Sequence, residues 1–226
     1  MARKTAENPV MHFRNACFIS YRHPKQRFGQ KIVESFHADL QDRLDARGLD
    51  APVYFDKLRL KGGDFWEPSL ANDLCNSACM ILLFNNYYFD AERIYCAREY
   101  FGMVELERKR LRFLSDDMIY KGLIIPVFFY GAADVMDVMP LDLKKRQCYS
   151  FADELLNFSF NRRNTYVKKI EKIAEDIFKR YLFFEERINY DLSKHCKSFK
   201  FPTEKKVKEL LRRYNIKVYH QSPPRT

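Results

Sequence analysis

The run NACFISY, residues 15–21, is apolar at nearly every position and carries β-branched and aromatic side chains. It is followed at once by the polar stretch RHPKQRFGQ (22–30). A short, continuous apolar run of this kind predicts a strand covered on both faces, as in a parallel sheet. The next segment, KIVESFHADLQDRLDARG (31–48), places Ile32, Phe36, Leu40 and Leu44 at helical spacing, with Gly48 as a stop. PVYFD (52–56) predicts a second short strand, and KLRLKGGDF (57–65) a basic, glycine-containing loop. WEPSLANDLCNS (66–77) predicts a helix with Pro68 in its first turn, where a missing N–H costs nothing, and with Trp66 as a core anchor at its start. ACMILLF (78–84) and GLIIPVFFY (122–130) predict a third and a fourth strand, with a long helix over 91–114 between them; QCYSF (147–151) is a weaker fifth. YVKKIEKIAEDIFKRYL (166–182) has Ile170, Ile173, Ile177 and Tyr181 on one side. Strands alternating with helices imply an α/β fold, a doubly wound parallel sheet of flavodoxin-like order 2-1-3-4-5 flanked by helices.

Outside that core the pattern changes. TEKKVKELLRRY (203–214) predicts one more amphipathic helix capped by Thr203, and HQSPPRT a frayed end. Residues 1–161 carry 22 Lys and Arg against 22 Asp and Glu, whereas 162–226 carry 18 against 8, so the whole net charge of +10 lies in the last part. The expected organisation of the 226 residues is an N-terminal segment 1–13, a neutral domain 14–184 and a basic helical extension 185–226. No recognised nucleic-acid motif accompanies the charge, so a solvated face is expected there and nucleic-acid binding is not. A hydrophobic content of 46% excludes a disordered chain. No apolar run approaches the ~20 residues of a membrane span. The first residues, MARKTAENPVMHF, lack a secretory core. Cysteines 17, 75, 79, 96, 148 and 196 show no Cys-x-x-Cys spacing, so they read as reduced thiols of a cytoplasmic protein; no histidine pair completes a metal set.

Ligands of open parallel sheets bind beyond the carboxyl ends of strands, where the winding direction reverses. In the 2-1-3-4-5 order that place lies between the first and third strands. Ser20-Tyr21-Arg22-His23, the loop Arg59 to Phe65, and the segment carrying Tyr95 and Glu99 converge there. Tyr95 and Glu99 are four apart and share a helix flank away from the core stripe. An aromatic face beside one acid suits a planar heterocycle joined to a sugar. Cys96 has no evident base beside it, although His23 is a candidate, so it reads as a packing residue and not as a nucleophile.

Several of these stretches together resemble the Toll/interleukin-1 receptor (TIR) domain family over residues 14–182. CFISYRH resembles its first box, FDKLRLKGGDFW its strand and BB loop, SLANDLCNSACMILLFNNYY its next helix and strand, YCARE its aromatic-Cys-x-x-Glu element, and GLIIPVFF its fourth strand. The glutamate makes the likeness closer to NAD-cleaving members than to receptor adaptors. Tyr95 stands where cleaving members often have Trp, and Arg93 where they usually have Ser. The resemblance implies cleavage of the nicotinamide–ribose bond of NAD+ as substrate, with Glu99 catalytic and Ser20, Arg22, Arg59, Gly63, Phe65 and Tyr95 lining the substrate pocket. It implies no metal and no resident cofactor, and partners that are other TIR subunits in a homo-oligomer. A chain with no receptor or membrane part looks like a prokaryotic stand-alone form of Thoeris-like antiphage defence. Its product, ADP-ribose or a cyclic isomer, would signal to a downstream effector protein. Two rivals stand beside this reading: a non-enzymatic TIR–TIR scaffold using the 57–65 loop, and an enzyme like the nucleoside deoxyribosyltransferases, which would leave NAD+ intact.

Overall fold

A computed structural model describes residues 13–24, 26–56, 66–90, 94–112, 122–129, 139–153, 164–187 and 192–216. Its elements, in chain order, are β1 (Asn15–Tyr21), α1 (Arg27–Asp45), β2 (Val53–Tyr54), α2 (Trp66–Cys75), β3 (Ser77–Phe84), α3 (Tyr95–Leu111), β4 (Ile124–Phe128), α4 (Leu141–Lys144), β5 (Tyr149–Ser150), α5 (Asn164–Arg187), α6 (Leu192–Ser198) and α7 (Glu204–Arg213). The five strands are parallel and lie in the order β2-β1-β3-β4-β5, the arrangement that the alternation of strands and helices predicts.

The central strands are buried along their whole length, as continuous apolar runs require. β1 runs beside β3 in the register Cys17–Cys79 to Tyr21–Leu83. Helices α1 and α5 pack together on one face, and α2 and α3 pack together on the other. In α1 the buried residues are Ile32, Val33, Phe36, Leu40 and Leu44, one stripe at helical spacing. The helix ends at Asp45, and Gly48 follows at φ +73, a left-handed value that a side chain would resist.

Helix α3 departs from a single stripe. Ala97 and Phe101 are buried, but so are Arg98, Gly102, Glu107 and Arg110. The chain beyond residue 192 covers part of that second side: Phe199 and Phe201 reach Gly102, where an added Cβ would stand 3.2 Å from Phe201 and 3.4 Å from Phe199. Glu107 is enclosed by Arg146 and the Leu123 amide, and Arg110 by Phe13 and the junction of α2 with β3. The extension therefore joins the same apolar core through Cys196, Phe199, Phe201, Val207 and Leu211. Thr203 caps α7 by accepting a hydrogen bond from the Lys206 amide at 3.3 Å.

The cysteine reading is corrected here. Cys75, at the end of α2, and Cys196, in α6, form a disulfide across 121 residues of sequence. The reduced-thiol expectation failed because the partner lies in a segment that the strand and helix pattern left unplaced. Cys17, Cys79 and Cys96 are buried free thiols, and burial pushes the Cys79 thiol up to about 12. Among the described residues, no helix is long and apolar enough to cross a membrane.

Candidate active site

The end of β1 and the start of α3 meet at the predicted crevice. Tyr21, Arg22 and His23, leaving β1, together with Asp56 after β2, form one side of a cavity of about 410 Å³. Trp66 and Leu70 of α2, and Tyr95, Cys96 and Glu99 of α3, form the other. Tyr95 and Glu99 therefore line one cavity, as their spacing of four predicts. Tyr95 is 45% exposed at its mouth. Trp66 meets it edge-to-face, with ring centroids 4.7 Å apart. Trp66 is 40% exposed, which corrects its reading as a core anchor: it is a wall of the cavity.

The carboxylate of Glu99 is held from behind. The Ser20 hydroxyl donates to Glu99 Oε2 at 2.5 Å, and Ser20 Oγ also lies 2.5 Å from the Tyr88 hydroxyl. A hydroxyl has one proton to give. With Glu99 ionised, Ser20 gives that proton to Glu99 and accepts from Tyr88. Burial holds the Tyr88 phenol well above its ordinary range, so its proton is present to donate. Ser20 and Tyr88 are themselves fully enclosed. Ser20 is thus a buried support of Glu99 and not a wall of the cavity. Burial pushes the Glu99 carboxyl up to about 8; the nearby negative charge of Asp56 adds to the rise, and the Ser20 hydrogen bond opposes it.

Arg22 lines the cavity, but its guanidinium is engaged, 2.9 Å from Asp90 in a nearly buried ion pair. His23 Nε2 lies 2.9 Å from Asp56 Oδ2, and Asp56 Oδ1 accepts from the Tyr21 hydroxyl at 3.1 Å. Cys96 Sγ donates to the Tyr21 carbonyl at 3.4 Å, and burial holds its thiol far above the range of a nucleophile. Arg59, Gly63 and Phe65 lie outside the described residues. Asp56, Tyr88 and Asp90 were not foreseen. Asp56 had a weak signal, an acid at the end of the predicted strand 52–56; Tyr88 and Asp90 sit in the NNYYFD stretch after β3, and nothing in their spacing points back across 68 residues to Ser20 and Arg22.

The geometry offers a recessed acid, Glu99, beside a second, Asp56, that Tyr21 and His23 engage, an aromatic lip formed by Tyr95 and Trp66, and a cavity large enough for one ring and its sugar. A carboxylate so placed can stabilise a cation forming in front of it. Among the described residues, no group of three His, Cys, Asp or Glu side chains is placed to hold a metal ion.

No family model matches the chain, and no curated protein does. Among solved structures, the TIR domains in "Structure of the activated Roq1 resistosome directly recognizing the pathogen effector XopQ" are similar to it. They are 18% identical, the match covers 87% of this chain and 97% of that one, and the TM-score is 0.34.

Proposed function

We propose that the chain is a TIR-domain enzyme that cleaves the nicotinamide–ribose bond of NAD+, with Glu99 as the catalytic carboxylate. The observation that carries this reading is the position of Glu99: its carboxyl group faces a cavity at the sheet's switch point, with a hydroxyl donor fixed behind it and two aromatic rings in front. Nicotinamide leaves as a neutral molecule, taking the electron pair of the broken C–N bond, so no acid has to protonate it. Positive charge develops on the ribose, as in glycoside cleavage. A carboxylate about 4 Å from that charge is worth roughly 4 kcal/mol at an effective dielectric near 20, or about three orders of magnitude in rate. Water then adds to the ribosyl cation and loses a proton to solvent, giving ADP-ribose. Addition of the adenine or of a ribose hydroxyl of the same molecule closes a ring instead.

Tyr95 and Trp66 suit the planar ring of the substrate. The Arg22–Asp90 pair keeps Arg22 from acting as a free phosphate anchor, so Arg22 serves as a rigid wall. Self-assembly of the chain and a role in antiphage signalling through a product-sensing effector belong to the same proposal.

The test is incubation of concentrated protein with NAD+, with nicotinamide and adenine products separated by chromatography and identified by mass. Glu99→Gln is expected to lower nicotinamide release by about three orders of magnitude while circular dichroism shows an intact fold. Undiminished release by the folded variant removes Glu99 from the chemistry. Intact NAD+ together with base exchange on nucleosides favours the deoxyribosyltransferase-like rival.

A further inference from the structure

A second cavity, of about 770 Å³, lies between α2, the start of α3 and the chain from Cys196 to Thr203. It shares no lining residue with the Glu99 cavity. Helix α2 turns Trp66 and Leu70 to one cavity and Glu67, Pro68, Ala71 and Asn72 to the other. Its volume lies within the range of small-molecule sites.

The walls are fixed. The Cys75–Cys196 disulfide fastens one end of the extension segment to α2, and Arg98 Nε donates to the Pro202 carbonyl at 2.9 Å near the other end. Glu67 does not make the cavity acidic, because the Arg98 guanidinium engages both of its oxygens. The charges left over are all positive. Lys197 and Lys200 are exposed on the rim, and among the described residues neither has an ion-pair partner. Arg14 keeps 57% of its side chain exposed and reaches Asp73 only at 3.7 Å. Below these cations the surface is apolar, formed by Pro68, Ala71, Phe199 and Phe201, with the amides of Asn72 and Asn76 beside it.

From two unpaired lysines and the largely exposed Arg14 over an apolar floor, we infer that this cavity is a second ligand site, for a phosphorylated small molecule of nucleotide size. Its phosphates would meet Arg14, Lys197 and Lys200, and its ring system would lie against Pro68 and Phe199. Charge-assisted contacts to phosphate are strong where the cation is not already spent on a carboxylate. The apolar floor separates a shaped site from a basic surface, because a bare anion gains nothing from it. Binding here is independent of any chemistry at Glu99.

The probe is ADP, titrated calorimetrically into the full-length, disulfide-bonded chain, with adenosine and inorganic diphosphate as the two halves of the ligand. One ADP is expected to bind per chain at this site. Adenosine and inorganic diphosphate are each expected to bind at least about tenfold more weakly. The double variant Lys197→Glu, Lys200→Glu is expected to weaken ADP at least about tenfold. Both lysines are exposed, so its melting curve should match that of the parent chain. ADP binding that the double variant leaves undiminished belongs to the Glu99 cavity and overturns the inference. So does inorganic diphosphate binding as tightly as ADP, which marks an unshaped basic patch, and so does the absence of ADP binding.

Discussion

Glu99 stands where the fold and the proposed chemistry pull in opposite directions. Its carboxyl ionises near 8 against an ordinary value of 4.5, so the folded chain holds that proton more tightly than the unfolded chain does. Between these values the folded state binds more protons, and stability falls as pH rises. This contribution is whole below about 4.5 and is lost progressively up to about 8. The stability change is smaller than the full shift implies, because Glu99 is only part-buried and lines an open cavity. Glu99→Gln, which cannot ionise, is therefore expected to match the parent chain at pH 5 and to exceed it by about 1–3 kcal/mol at pH 8.5. Urea unfolding at the two pH values measures the difference, and a variant less stable at both would show that the carboxylate is a structural support. The reaction needs the ionised form, so kcat/KM for NAD+ is expected to climb as pH rises, to reach half its maximum near 8, the value for the free enzyme, and to level off above that. The pair Tyr95 and Glu99 was legible in the sequence because helical spacing alone puts them on one flank. The Tyr88–Ser20–Glu99 chain was not, because it joins three elements whose contact depends on the sheet having formed.

Helix α3 was legible as a helix but not as one buried on two sides. A stripe of Ile94, Ala97, Phe101, Val104 and Leu111 predicts one covered face, yet Val104 and Leu111 are only part-buried and Gly102 and Arg110 are enclosed as well. Arg110 is enclosed by the junction of α2 with β3 and by Phe13. Its guanidinium donates to the carbonyls of Cys75 and Ser77, at 2.5 and 2.8 Å, where α2 ends and β3 begins, and it lies 4.9 Å from the centre of the Phe13 ring. A cation at a helix C-terminus satisfies carbonyls that the helix leaves open. Gly102 meets the extension instead, with Leu74, Phe199 and Phe201 all within 3.4 Å of an added Cβ. Alanine there would gain helix propensity and lose fit, two effects of similar size. Leucine overfills the space whichever neighbour moves. Gly102→Leu is expected to cost about 1–3 kcal/mol and to loosen the extension before the sheet. Hydrogen exchange resolves the order: amides of 204–213 should lose protection first, while those of β1 and β3 keep it. Equal loss in both would mean that the extension and the sheet unfold as one unit.

At the scale of the molecule, the sheet was legible because long parallel strands are apolar on both faces and leave a run that polar loops punctuate; NACFISY and ACMILLF needed no tertiary information. The extension was legible only as one amphipathic helix with its Thr203 cap. Its seat on α2 and α3 depends on scattered single residues, Cys196, Phe199 and Phe201, which form no period. The disulfide is the strongest of these ties, and it closes a loop of 121 residues. In the chain-entropy account, closing a loop of this length removes freedom from the unfolded chain worth about 4–5 kcal/mol, of which proteins commonly realise about 2–5. Cys196 also sits in the core, so Cys196→Ser would mix a buried hydroxyl with the lost bond. Reduction without mutation keeps the packing and is the cleaner perturbation. Reduction is expected to lower the melting temperature by several degrees, with the extension freed while the five strands persist. Loss of protection confined to 192–216 is the outcome that this attachment requires. An unchanged melting curve in protein shown by thiol titration to be fully reduced would mean that Phe199, Phe201 and the Arg98–Pro202 hydrogen bond hold the extension without the bond.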